Sequence, residues 1–153
     1  MKKRKTLIGL VATVCVIVAI FTLFADAFSS GVKEYGSSRG SVYQVMFGNW
    51  QGYDAVPGMI VAWVLLLVAA AFVLIGSFLP SKIGGLALGI GAVASLAGSI
   101  MFFFAPGMFS AVTGRAEFLT EAPSIGVGII VSAVFGILGA LIALFAARSA
   151  MKE

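Results

Sequence analysis

Residues 58–105 read GMIVAWVLLLVAAAFVLIGSFLPSKIGGLALGIGAVASLAGSIMFFFA, and Lys82 is the one charged residue among them. It lies beside Pro80, which ends a helix because a proline nitrogen carries no hydrogen. The apolar run on each side is longer than the roughly 20 residues that an α-helix needs to cross about 30 Å of hydrocarbon. The stretch therefore predicts two transmembrane helices that form an antiparallel hairpin with a tight turn.

The rest of the chain continues this pattern. Uncharged stretches cover residues 6–25, 55–81, 83–114 and 122–147, and the whole chain of 153 residues is 61% hydrophobic and 10% charged, with a mean hydropathy of +1.12. A soluble domain is about half apolar and about a quarter charged. We therefore predict an all-α membrane protein, a single four-helix transmembrane bundle with helices at about 6–28, 58–79, 83–105 and 124–149. The outer loops then cover 29–57 and 106–123.

The basic residues predict the orientation, because loops on the cytoplasmic side carry the excess of Lys and Arg. With both termini inside, seven basic residues lie on the inner side and three on the outer side. The inner set is Lys2, Lys3, Arg4, Lys5, Lys82, Arg148 and Lys152. We expect both termini in the cytoplasm and the bundle in the plasma (inner) membrane. The N-terminal cations attract anionic lipid, each by about 1 kcal/mol, and nucleic-acid binding is not expected of cations that adjoin a membrane span.

The first apolar run has a second interpretation as a secretory signal peptide. The tripeptide Ala25-Asp26-Ala27 resembles an A-x-A cleavage site after a basic start. The run from Leu7 to Phe24 is longer than the roughly 7 to 15 residues of a signal peptide's apolar core. We therefore expect an uncleaved membrane anchor.

The first outer loop contains a candidate β-hairpin. Residues 41–47 are rich in β-branched and aromatic types, Gly48-Asn49 is a turn signal, and residues 50–53 supply a short return strand. A two-stranded hairpin is marginal alone, so we expect it to be held on the bundle by Tyr43, Phe47, Trp50 and Tyr53. These four residues form a predicted outer-loop platform. A simple interfacial anchor explains the same aromatics equally well.

This outline resembles the claudin-type tetraspan proteins. The shared features are a cytoplasmic N-terminus, four spans and a longer first outer loop with strand character, in which Gly48-Asn49-Trp50 stands where that family has a Gly-Leu-Trp motif. The family follows this motif with two cysteines, and here Tyr53 stands where the first is expected. The resemblance covers one tripeptide and the topology, and it assigns no function to this chain.

Small residues at four-residue spacing predict how the helices pack, because close backbone approach drives helix association in lipid. Helix 2 offers a seven-residue repeat of Ala62, Ala69 and Gly76. Two further ladders predict that helices 3 and 4 touch closely. They consist of Ala87, Gly91, Ser95 and Ser99 on helix 3 and of Gly128, Ser132, Gly136 and Ala140 on helix 4. Packing within one bundle explains most of these positions, and self-association or contact with another membrane protein remains open.

The chemistry that the chain lacks limits its function. It has no His and one Cys, and the four predicted spans hold no ionisable side chain of the kind that marks proton or ion paths. We therefore expect that the protein is not an enzyme and that it has no catalytic residue, no cofactor and no metal site. Two functions from different classes remain. The first is an interaction or assembly subunit that docks a partner membrane protein or a lipid. The alternative is a homo-oligomeric pore or small transport component lined by Ser95, Ser99 and Ser132.

Overall fold

The computed structural model describes residues 2–24, 28–30, 41–48, 55–105, 124–125 and 127–152. The elements in chain order are α1 (Lys2–Phe21), a 3₁₀ turn (Thr22–Phe24), β1 (Phe28–Ser30), α2 (Val42–Phe47), α3 (Pro57–Phe78), α4 (Ser81–Phe103), β2 (Ser124–Ile125) and α5 (Val127–Met151). Four of these helices, α1, α3, α4 and α5, are long and apolar enough to cross a membrane. The chain thus has the helices that an integral membrane protein requires.

The four long helices form a ring in which α1 packs on α3, α3 on α4, α4 on α5, and α5 on α1. Leu79 and Pro80 alone separate α3 from α4, so these two helices run antiparallel. Lys5 at the start of α1 donates to Leu79, and Gly85 at the start of α4 lies against Met151 at the end of α5. The start of α1, the α3–α4 turn and the end of α5 therefore share one end of the bundle. We call it the basic end, and its exposed cations are Lys3, Arg4, Lys82, Arg148 and Lys152.

The interior differs between the two ends. Near the basic end the buried core is mostly alanine, with Ala12, Ala92, Ala140, Ala143, Ala146 and Ala147 packed around Val73 and Leu88. Near the other end large side chains fill the core, among them Leu23, Met46, Met59, Leu66, Phe102 and Ile129. The core therefore changes from small to large side chains along the bundle.

Two of the approximate helix bounds differ from the described helices. Helix 1 was predicted to run to residue 28 and helix 4 to begin at residue 124. Instead, Phe28–Ser30 and Ser124–Ile125 form a short antiparallel pair, with Phe28 opposite Ile125 and Ser30 opposite Ser124. The two segments thus pair with each other and are not part of the long helices.

The strand predicted over residues 41–47 was also wrong, because Val42–Phe47 is the helix α2. Ser41 caps it in a capping box: the Gln44 N–H donates to the Ser41 hydroxyl at 3.3 Å, and the Ser41 N–H donates to Gln44 Oε1 at 3.0 Å. Gly48 ends the helix in the left-handed region, with φ of 79°. Local capping thus overrides the strand propensity of the β-branched and aromatic residues. The return strand predicted over 50–53 lies outside the described residues.

The contact between α3 and α4 repeats every seven residues. A Cβ built on Gly84, Gly91 or Gly98 of α4 would lie 2.8, 3.1 and 2.8 Å from the carbonyl oxygens of Gly76, Ala69 and Ala62 on α3. Seven residues fall only about 20° short of two helical turns, so such a repeat stays on one face. Backbone therefore meets backbone at three successive levels of this antiparallel pair.

Candidate functional site

An aromatic cluster lies at the end of the bundle opposite the basic end. It consists of Phe24, Tyr43, Phe47 and Trp63, which come from the 3₁₀ turn, α2 and α3. The ring centroids lie 4.6 Å apart for Phe24 and Tyr43, and 5.5 Å apart for Phe47 and Trp63 with the planes nearly perpendicular. These are favourable aromatic geometries. The cluster joins α2 to both α1 and α3 through side chains distant in sequence.

Hydrogen bonds and buried apolar residues fix the cluster in place. Trp63 Nε1 donates to Tyr43 Oη at 3.2 Å, and that hydroxyl donates to the Ile20 carbonyl at 3.2 Å. On the inner side of α2, Val42 and Met46 are fully buried in the core. On the outer side, Phe24 is 67% exposed and Phe47 42% exposed. The cluster thus has a fixed inner face and an exposed apolar outer face.

We expect Tyr43→Phe to lower the free energy of unfolding by about 0.5–1.5 kcal/mol, because it leaves Trp63 Nε1 without its acceptor and Ile20 without its donor. Trp63→Phe removes one of the same bonds, so the effects of the two substitutions should not add in the double variant. Unfolding in detergent, measured by circular dichroism for the single and double variants, checks this. Fully additive losses of stability, or an unchanged stability of Tyr43→Phe, would contradict the two linked hydrogen bonds at the Tyr43 hydroxyl.

Of the predicted outer-loop platform, the structure brings Tyr43 and Phe47 together. Trp50 and Tyr53 lie outside the described residues. In their place Phe24 and Trp63 complete the cluster, and these two residues were not assigned to the platform from the sequence. Nothing in the local sequence links Trp63 to Tyr43. The link depends on α2 being a helix, since a helix places Tyr43 and Phe47, four residues apart, on one face.

The predicted small-residue ladders divide between two neighbours. Ser95 and Ser99 of α4 face α5: Ser95 Oγ donates to the Gly136 carbonyl at 2.7 Å, and a Cβ on Gly136 would overlap the Ser99 hydroxyl. Gly91 instead faces α3, where a Cβ would lie 2.6 Å from Val73 Cγ2. Gly91 was predicted to pack against the fourth long helix, which is α5, and this was wrong. Each four-residue step along α4 turns about 40° further around the helix, so the four residues of the ladder do not share one face.

The remaining ladder residues are buried. Ala87 is 8% exposed and Ala140 1%, Gly128 is buried, and Ser132 is fully buried. The hydroxyls of Ser99 and Ser132 are the buried side-chain polar atoms without a hydrogen-bond partner among the described residues. The bond from Ser95 to Gly136 sets the register of the antiparallel pair, and it places Ser99 at the level of Ser132, one turn away. None of the three serines reaches the outer surface of the bundle.

An apolar groove opens on the outer surface of α4. It has a volume of about 680 Å³ and no charged residue in its lining. The residues that line it are Leu65, Val68, Gly85, Leu86, Gly89, Ile90, Val93, Ala94, Ala97, Leu144 and Met151. We call this surface the α4 groove. Gly89 forms part of its floor, since a Cβ built there would meet no neighbouring atom within 4 Å.

The basic end contains a buried cation that the sequence did not single out. Pro80 has no N–H, so the last carbonyls of α3 lack helical donors. Lys5, 4% exposed, donates from Nζ to the Leu79 carbonyl at 2.7 Å, and Thr6 Oγ1 donates to the Ser77 carbonyl at 3.0 Å. A cation at a helix C-terminus is also favoured by the helix dipole. Lys5 thereby joins the start of α1 to the end of α3.

No protein-family model matches the chain, and neither a curated protein nor a solved structure matches it. The features of the molecule that bear on function are therefore the α4 groove, the aromatic cluster and the basic end.

Proposed function

We propose that this protein is a non-enzymatic interaction or assembly subunit that docks a helix of a partner membrane protein in the α4 groove. The observation that carries the proposal is Gly89. Gly84, Gly91 and Gly98 of α4 are already covered by α3, whereas Gly89 faces open space in an apolar groove. In a bilayer, a small residue on an open face lets a second backbone approach closely. A lipid chain is the competing occupant of the same groove.

The aromatic cluster, at the end of the bundle opposite the basic end, supports the same function. Its exposed rings, Phe24 and Phe47, offer an apolar surface that Tyr43 and Trp63 hold rigid. Rigid aromatic side chains are favoured anchors of protein interfaces because little side-chain entropy is lost on binding. The aromatic cluster and the α4 groove would together contact a partner at two depths.

The alternative, a homo-oligomeric pore or small transport component, requires hydroxyls on a surface that several subunits share. Ser95, Ser99 and Ser132 are fully buried within one chain, and Ser95 and Ser99 face α5. The α4 groove that another copy would reach is lined by apolar residues. Both observations favour the interaction subunit.

For orientation we propose that the basic end lies in the cytoplasm and that the membrane is the plasma (inner) membrane. All described cations are at this end, and loops on the cytoplasmic side carry the excess of positive charge. We expect cysteines introduced at Ser38 and Ser81, in a Cys15→Ala background, to react differently with an impermeant thiol reagent in intact cells. Labelling at position 38 alone supports this orientation, and labelling at position 81 alone would invert it.

Native mass spectrometry of the protein, released gently from its own membrane, tests the function. It reports the number of copies, the bound lipids and any co-purifying protein in one spectrum. We expect one copy of this chain bound to a different membrane protein. A closed ring of identical subunits would instead support the pore, and a single copy with lipid alone would leave the α4 groove to a lipid chain and contradict a protein partner.

A further inference from the structure

A second, smaller cleft lies between α1 and α3 at the basic end, separate from the α4 groove. It has a volume of about 520 Å³ and is lined by Lys3, Thr6, Leu7, Leu10 and Phe78. Leu7 is 64% exposed and Phe78 62% exposed, so both form an outward-facing apolar wall. We call this surface the α1–α3 cleft.

The chemistry of the α1–α3 cleft changes along α1. Lys3 lies at the end of the bundle, Leu7 is about 6 Å further along the helix axis, and Leu10 is about 10 Å further, at 1.5 Å per residue. The Thr6 hydroxyl lies between the levels of Lys3 and Leu7 and donates to the Ser77 carbonyl. The cleft is therefore cationic at its mouth and apolar farther in, which is the order of groups in a phospholipid from phosphate to acyl chain.

The charges around the mouth have one sign. Arg4 and Lys82 are exposed at the same end as Lys3, and all six acidic residues of the chain lie outside the described residues. The described part of the basic end therefore offers no carboxylate to neutralise Lys3. Lys5 is not available to an external anion because it is buried against Leu79. Anionic lipid headgroups are attracted to such clusters of cations.

We propose that the α1–α3 cleft binds one anionic phospholipid, with its phosphate at Lys3 and an acyl chain along Leu7, Leu10 and Phe78. A zwitterionic lipid carries no net charge for Lys3 to attract, and a free phosphate has no apolar tail for the inner wall. The site joins α1 to α3 from the outside at the level where Lys5 joins them from within. It does not depend on the function proposed for the α4 groove.

The test is a titration of the purified protein in neutral detergent with phosphatidylglycerol or phosphatidylcholine, read by native mass spectrometry. We expect the wild type to bind one phosphatidylglycerol in preference to phosphatidylcholine. Lys3→Gln should weaken that binding about five-fold, as expected for one cation near an anionic lipid. The matched control, Lys152→Gln, removes an exposed charge from the same end outside the cleft and should leave the affinity unchanged.

A second pair of variants tests the apolar part of the site. Phe78→Ala should also weaken phosphatidylglycerol binding, whereas Phe145→Ala, which removes an exposed ring from α5, should not. Equal losses in Lys3→Gln and Lys152→Gln would show diffuse attraction to the whole basic end and would overturn the proposal. Equal binding of phosphatidylcholine, or displacement of the lipid by inorganic phosphate at comparable concentration, would overturn it as well.

Discussion

Gly91→Leu is expected to destabilise the bundle strongly, while Gly89→Leu, two residues away on the same helix, leaves its stability unchanged or slightly higher. At position 91 a Cβ would lie 2.6 Å from Val73 Cγ2, 3.0 Å from the Val73 nitrogen and 3.1 Å from the Ala69 carbonyl oxygen. Two of these three atoms belong to the backbone of α3 and move only if the helix moves. Overpacking of this kind costs about 1–3 kcal/mol, occasionally more.

The two substitutions make a matched pair. Both replace glycine by leucine in the middle of α4, so both gain the same intrinsic helix propensity. At position 89 the new side chain enters the α4 groove, where no neighbouring atom lies within 4 Å of the Cβ position. Thermal unfolding of both variants in detergent measures the difference. If the two variants melted alike, the seven-residue contact between α3 and α4 would not be the tight interface described above.

Lys5→Met is expected to produce the second-largest decrease in the free energy of unfolding. It keeps an unbranched chain of similar length in the buried position and removes the ammonium group that donates to the Leu79 carbonyl at 2.7 Å. A hydrogen bond to a charged group contributes about 1.5–3 kcal/mol, and here Pro80 leaves the carbonyls at the end of α3 short of helical donors. The free energy of unfolding should therefore fall by a comparable amount.

Arg4→Met is the control for Lys5→Met. It removes one positive charge from the same end of α1. Both variants therefore change by the same amount the charge balance that orients the first span. Arg4 is exposed, and we expect its replacement to alter stability by less than about 0.5 kcal/mol. Denaturation of both variants at low and high salt measures the contrast. A loss in Lys5→Met that disappears at high salt would indicate a surface charge effect and not a buried bond.

The sequence predicted the four long helices because their signal is strong and local. Each comes from an uncharged run longer than a membrane crossing, and Pro57 and Pro80 mark the two ends of α3 closely. The seven-residue repeat of Ala62, Ala69 and Gly76 also pointed to a packing face of this helix. What the sequence did not show was which neighbour covers it, because that depends on the register with α4.

The errors occurred where distant or competing local contacts decide the structure. The pair formed by Phe28–Ser30 and Ser124–Ile125 joins segments from opposite ends of the chain, and neither segment predicts the other. The capping box of Ser41 and Gln44 was present in the sequence, but strand propensity was given more weight. Lys5 resembles its three basic neighbours in sequence, and only the free carbonyls at the end of α3 distinguish it. The small-residue ladder of α4 failed at Gly91 because a four-residue spacing does not stay on one face.

Native mass spectrometry of the Gly89→Leu variant beside the wild type tests whether the α4 groove docks a partner membrane protein. Both proteins are released from their own membrane under the same conditions. We predict that the wild type carries one copy of a different membrane protein and that Gly89→Leu, equally stable, loses that partner because leucine fills the space its backbone would occupy. A partner retained by Gly89→Leu at the same occupancy would contradict docking in the α4 groove.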